Sequence, residues 1–121
     1  MLEGKRIFVA EDETLIAMVL EDMLGELGFE LAGSAQTVEN AIELIKLPGK
    51  IDAAILDIEL NDEKSWPIAA ELAARDVPFA FATGHGPGAM VDPRFAAAPI
   101  LDKPFDSDAL NQVLLKLLPV S

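Results

Sequence analysis

The sequence predicts an α/β fold, a doubly wound parallel sheet of five strands with helices on both faces. Three observations predict it. Short apolar runs such as Ile7-Phe8-Val9-Ala10, Ala53-Ala54-Ile55-Leu56 and Phe79-Ala80-Phe81-Ala82 have the length of buried strands. Segments with apolar residues at three- and four-residue spacing lie between such runs and read as helices. Strands joined by helices of this length form βαβ units, which place a parallel sheet between two helical layers with right-handed connections.

The elements follow in order. Lys5 to Ala10 reads as the first strand. Leu15, Ile16, Val19, Leu20, Met23, Leu24 and Leu27 trace the apolar stripe of the first helix, which Asp12 is placed to cap and Gly28 to end. Phe29 to Ala35 is a second strand, and a helix from about Val38 to Leu47 closes at Pro48-Gly49. The third strand spans about Asp52 to Leu56. Leu60-Asn61-Asp62-Glu63 reads as loop, and the helix after it runs to about Arg75 with Pro67 in its first turn.

Asp76-Val77-Pro78 turns into a fourth strand, Phe79 to Thr83. The next ten residues, from Gly84 to Pro93, carry three glycines and two prolines, which oppose a helix interior. A short or irregular fourth helix around residues 88–97 is therefore expected, within either a plain surface loop or a mobile functional segment. Pro99 to Leu101 makes the fifth strand. The last helix, about Ser107 to Leu118, is capped by Asp106 and striped by Leu110, Val113, Leu114, Leu117 and Leu118.

Length and composition exclude several classes. The 121 residues suit one domain with its own core. No apolar run approaches the roughly 18 residues that span a bilayer, and Met1 to Arg6 lacks a signal peptide's order of charge then apolarity. With no cysteine there is neither a disulfide nor a thiolate metal site. Nine basic residues against 21 acidic ones, a net charge of −12, oppose binding to nucleic acid or anionic lipid. A cytoplasmic location and no membrane partner are expected.

Reactive groups stand where the apolar runs stop: Glu11 and Asp12 after the first strand, Asp57 after the third, Thr83 after the fourth and Lys103 after the fifth. In an open parallel sheet the carboxyl ends of the strands share one edge, where ligands bind. Each residue has a plainer reading: a helix cap for Asp12, a solvated acid for Glu11, a turn for Asp57, a surface cation for Lys103, a satisfied hydroxyl for Thr83. Their joint placement favours a shared pocket for phosphoryl transfer to Asp57, a carboxylate being able to form an aspartyl phosphate. Two carboxylates ~4 Å apart repel by roughly 4 kcal/mol at an effective dielectric near 20, which raises one pKa by about three. Oxygen donors without His or Cys favour a hard cation, Mg²⁺ or Mn²⁺.

This order of acidic pair, Asp, Thr and Lys-Pro, five positions at four strand ends, resembles the receiver domain of two-component response regulators, from Arg6 to Leu118. Pro78-Phe79-Ala80-Phe81-Ala82-Thr83-Gly84-His85-Gly86 and the loop Glu59 to Pro67 resemble, more narrowly, the FAT GUY group of single-domain receivers. The resemblance implies a flavodoxin-like (βα)5 fold with strand order 2-1-3-4-5. It implies Asp57 as phosphoacceptor, with Asp12, Asp57, Glu11 (directly or through water) and the backbone carbonyl of Glu59 around the metal. Thr83 and Lys103 would each bind a phosphoryl oxygen. It also implies a sensor histidine kinase or histidine phosphotransfer protein as donor, a downstream protein target, and a tilt towards alphaproteobacterial stress signalling.

Three positions depart from the commoner pattern. Glu11 replaces an aspartate, Ile100 stands where many receivers carry a switch aromatic, and His85 takes the place of an aromatic after Thr83-Gly84. His85 reads either as a reorienting, pH-sensitive reporter or as a partly exposed loop residue. Trp66 reads either as part of a recognition surface or as a packed anchor. Only Pro119, Val120 and Ser121 follow the last helix, so a single domain over 1–121 without an output domain is expected.

The expected function is that of a single-domain response regulator, not an enzyme, which catalyses its own phosphorylation and dephosphorylation. Its output would be protein binding or phosphate shuttling. The alternatives are a phosphorylation-independent interaction module, a small aspartate-nucleophile phosphatase, for which Glu59 is the wrong acid, and a flavin carrier, which Glu11-Asp12-Glu13 would repel.

Overall fold

The computed structural model describes residues 4–84 and 91–118. Among the described residues there are seven strands: β1 (Arg6–Ala10), β2 (Glu30–Ala35), β3 (Ala53–Asp57), β4 (Glu59–Leu60), β5 (Glu63–Lys64), β6 (Phe79–Thr83) and β7 (Ile100–Asp102). Four α-helices accompany them: α1 (Thr14–Glu26), α2 (Val38–Lys46), α3 (Trp66–Ala74) and α4 (Ser107–Leu117). The main sheet is parallel with order β2-β1-β3-β6-β7. Counting only its own five strands, this is the expected 2-1-3-4-5.

Two apolar clusters flank the sheet. Phe8, Leu56 and Phe81 pack with Ala41, Ile45, Ile68 and Leu72 of α2 and α3 on one face. Ile7, Val9 and Ile55 pack with Leu20, Leu24, Leu110 and Leu114 of α1 and α4 on the other. Successive strand residues point to opposite faces, so β1 serves both clusters and is buried from Ile7 to Ala10.

Several ends follow local chemistry. Thr37 and Asp106 cap α2 and α4 by accepting the N–H groups of Asn40 and Ala109. Gly28, at φ 89°, ends α1 as expected. Its N–H donates to the Gly25 carbonyl and that of Phe29 to Leu24, the double closure typical of a left-handed helix stop. Asp76, at φ 58°, ends α3 with the same pair of bonds, from Asp76 to Ala73 and from Val77 to Leu72.

Three expectations change and a fourth holds. The stretch 60–63 is not plain loop: Glu59–Leu60 and Glu63–Lys64 pair as a small antiparallel ribbon. Asn61 (φ 47°) and Asp62 (φ 68°) take the left-handed conformations a two-residue hairpin turn demands. The apolar stripe of α1 is only partly buried. Ala17, Leu20 and Leu24 face the sheet, while Leu15 is 77% and Val19 52% exposed, because they lie on the helix flank outside the sheet-facing arc. Asp12 does not cap α1; the cap position falls one residue later, on Glu13, which makes no side-chain cap bond. Finally, among the described residues between β6 and β7 the only helical piece is one 3₁₀ turn, Pro93–Phe95, with Asp92 accepting the Arg94 N–H. The expected irregular helix is thus borne out for residues 91–97, while 88–90 and His85 lie outside the described residues.

Candidate functional site

The sheet register delivers the expected residues to one edge. Asp57, last in β3, is level with Ala82 of β6, and Thr83 is level with Asp102 of β7. Beyond the strands, the Lys103 N–H donates to the Thr83 carbonyl at 2.8 Å and the Glu11 N–H to the Ala35 carbonyl at 2.9 Å. These bonds extend the ladders by one residue and hold Lys103 and Glu11 at the carboxyl end. The Lys103–Pro104 peptide bond is cis.

Glu11 is only 2% exposed and Thr83 is equally buried, whereas Asp12 and Asp57 are half-buried. The Lys103 ammonium donates to Glu11 Oε1 at 2.6 Å and to Asp57 Oδ2 at 3.1 Å. Glu11 Oε2 accepts the Glu13 N–H at 3.1 Å, so Glu11 meets a backbone donor at the start of α1. Asp12 Oδ2 instead crosses the crevice to accept the Asn61 N–H at 2.9 Å. Asp12 stands one residue before the cap position and bonds to the ribbon.

A cavity of about 330 Å³ opens here, lined by Asp12, Asp57, Glu59, Lys64, Thr83 and Lys103 among others. One carboxylate oxygen from each of Glu11, Asp12 and Asp57 lies within 4.8 Å of the others. Three carboxylates against one shared ammonium leave negative charge in excess, and an all-oxygen donor set suits a hard divalent cation. The residues present fit Mg²⁺.

Burial, more than any other influence, pushes the Glu11 carboxyl up to about 7. The Lys103 hydrogen bond and the Glu13 N–H oppose it, and the Asp57 charge adds to the rise. The raised carboxyl expected from crowding is therefore present, but desolvation is its main cause rather than repulsion. Burial pulls the Lys103 ammonium down, and the bonds and charges of Glu11 and Asp57 outweigh this to raise it.

Trp66, partly buried, packs against the core cluster. Its ring meets Phe81 edge-on at 5.4 Å and Phe95 at 6.2 Å, on the α2–α3 side of the sheet. Ile100 is 38% exposed on the edge strand β7. Sequence reasoning missed the Asn61 bond to Asp12 and the place of Lys64 on the cavity wall, since 59–64 read as loop. The Asn61-Asp62 pair, two residues tolerant of positive φ, was the available hairpin signal.

Beside the cavity runs an apolar groove of about 420 Å³, lined by Leu15, Ile16, Val19, Lys103, Pro104 and Phe105. The exposed flank of α1 forms one wall. No helix among the described residues is long and apolar enough to cross a membrane.

Comparison with known proteins gives a consistent picture. The family model described as response regulator receiver domain matches residues 7–115. The solution structure of SdrG from Sphingomonas melonis Fr1 is 47% identical, with a TM-score of 0.83 over 97% of this chain and 98% of that one. The BeF3-activated conformation of SdrG from Pseudomonas melonis Fr1 is 46% identical, with a TM-score of 0.82 over 98% and 100% of the two chains. Among curated proteins, the transcriptional regulatory protein PdtaR of Mycobacterium tuberculosis is 37% identical over 73 residues, covering 60% of this chain and 35% of its own length. The phyllosphere-induced regulator PhyR of Methylorubrum extorquens is 32% identical over 117 residues, 93% of this chain and 43% of PhyR. The chain thus spans less than half the length of these curated relatives.

Proposed function

This chain belongs to the response regulator receiver domain family, and from that premise we propose that it is a cytoplasmic single-domain response regulator phosphorylated on Asp57. The observation that carries the reading is the convergence from four strand ends of Asp12, Asp57, Thr83 and Lys103 on one cavity, with Glu11 buried beside it against Lys103. The likeness to SdrG, 47% identical with a TM-score of 0.83, supports the response-regulator reading.

In the proposed reaction an Asp57 carboxylate oxygen attacks the phosphorus of a phosphohistidine on a sensor kinase or histidine phosphotransfer protein. The new P–O bond forms as the P–N bond breaks, and the leaving imidazole nitrogen keeps the electron pair and takes a proton. Phosphoryl transfer asks the protein mainly for position and charge neutralisation. Lys103 supplies an ammonium at 3.1 Å from Asp57, and Thr83 lines the same cavity, where its hydroxyl would meet a phosphoryl oxygen. Glu11, Asp12, Asp57 and the Glu59 carbonyl would hold Mg²⁺ or Mn²⁺, which when bound offsets the charge of the transferring group. The aspartyl phosphate is later hydrolysed at the same site, so the chain catalyses its own phosphorylation and dephosphorylation without turning over a separate substrate.

The apolar groove of Leu15, Ile16, Val19, Pro104 and Phe105 lies next to Lys103, and supports docking of a helical donor that would bring its histidine to Asp57. Output is through protein binding or phosphate shuttling. Intact-mass analysis after incubation with acetyl phosphate, with and without Mg²⁺ and beside Asp57→Asn, tests the reading. One Mg²⁺-dependent phosphoryl adduct, absent in the variant, is expected. Absence of the adduct together with absence of Mg²⁺ binding would point to a phosphorylation-independent interaction module.

A further inference from the structure

Lys64, outside the expected set of site residues, also lines the acidic cavity. It ends β5, directly opposite Glu59 in the antiparallel ribbon. Residues opposite one another in such a pair project to the same face. The neighbouring pair, Leu60 and Glu63, projects to the other face, and Leu60, fully buried, roots the ribbon in the core. Glu59 and Lys64 therefore share the face that borders Asp57 and Thr83.

The ribbon is held in place. Asn61 donates its N–H to Asp12 Oδ2 at 2.9 Å and its Nδ2 to the Gln36 carbonyl at 3.4 Å. On this fixed base, Lys64 Nζ lies 2.8 Å from Glu59 Oε1, both side chains being about half exposed. Ion pairs at such exposure are weak, and lysine is a mobile point charge on a four-carbon stem. The ammonium can leave Glu59 at little cost.

Lys103, the other cation lining this cavity, is shared between Glu11 and Asp57. A phosphoryl group on Asp57 would replace its single negative charge by about two and bring three acceptor oxygens, beyond what Lys103, already shared with Glu11, satisfies alone. Resting on the reading of Asp57 as phosphoacceptor, we propose that Lys64 is a second phosphoryl-contacting cation. It pairs with Glu59 until the phosphoryl group arrives, and Glu59 sets how readily it is released.

Beryllofluoride titration at saturating Mg²⁺, followed by Trp66 fluorescence and amide NMR, tests this with Lys64→Gln, Lys64→Arg and Glu59→Gln. Lys64→Gln is expected to weaken beryllofluoride binding about three- to fivefold, the range of one exposed ion pair. Mg²⁺ alone should bind it as well as, or better than, wild type, because a repelling charge has gone. Lys64→Arg should retain affinity, and Glu59→Gln should bind beryllofluoride more tightly. Equal beryllofluoride affinity in Lys64→Gln and wild type would overturn the assignment, as would a parallel loss of Mg²⁺ affinity, which marks a merely structural lysine. A wild type that takes up no beryllofluoride would overturn the phosphoacceptor reading and the Lys64 assignment with it.

Discussion

Lys103 and Glu11 stand 92 residues apart in the chain, yet the ammonium lies 2.6 Å from the Glu11 carboxylate, closer than the 3.1 Å that separates it from Asp57. Glu11 is one methylene longer than the aspartate common in this place, and it engages the lysine while belonging to the acidic cluster with Asp12 and Asp57. On the proposed reading, cation binding at Glu11 and the freedom of Lys103 to meet a phosphoryl oxygen would be coupled.

Removing the ammonium exposes that coupling as stability. Lys103→Met leaves Glu11 buried and unpaired beside Asp57. Breaking a buried pair costs roughly 3 kcal/mol or more, and we expect such a loss in urea unfolding at pH 8. At pH 5.5 the loss should shrink, since Glu11 can take a proton. A penalty independent of pH would contradict this role.

The raised Glu11 carboxyl predicts the pH dependence of metal binding. Below about 7 Glu11 holds a proton that a cation must displace. Mg²⁺ affinity should therefore weaken as pH falls below 7, by up to about tenfold per pH unit. Calorimetry in buffers of different ionisation heat should detect the released proton, and Glu11→Gln should abolish the effect. For the metal-free protein the sign is opposite. The folded state keeps a proton that the unfolded chain releases near 4.5. This contribution to stability is fully present below about 4.5 and is lost as pH rises through about 7.

The ribbon turn should be selective for backbone tolerance. Asn61, at φ 47°, accepts glycine readily but not a β-branched residue. Asn61→Val should lower stability by roughly 1–2 kcal/mol, and Asn61→Gly should change it by less than about 0.5. Thermal melts of the two variants decide it.

Burial separates the two kinds of apolar residue in this chain. Phe81 is fully buried and contacts the rings of Trp66, Phe79 and Phe95. Phe81→Ala should cost roughly 3–5 kcal/mol and red-shift Trp66 emission. Leu15→Ser, on the exposed flank of α1, should stay within about 0.5 kcal/mol. Its effect should appear instead as weaker phosphotransfer from a donor kinase, if the groove is the docking face.

Much of this protein was legible one residue at a time. Apolar runs and three- and four-residue spacings mark the five sheet strands and four α-helices, because burial of one face is written locally as a period. Strand exits mark Glu11, Asp12, Asp57, Thr83 and Lys103, because parallel strands end at a common edge. Gly28 and Asp106 announce a helix end and a cap for reasons confined to a few neighbouring bonds. What only the tertiary structure decided are the pairings across long stretches of chain. Asp12 bonds to Asn61 instead of its own helix, Glu11 reaches Lys103, Trp66 packs on Phe81, and β5 brings Lys64 over the acidic cavity. Sequence period records which face a residue buries but not which distant partner meets it there. The partner follows from strand register and ribbon closure, which exist only once the chain has folded.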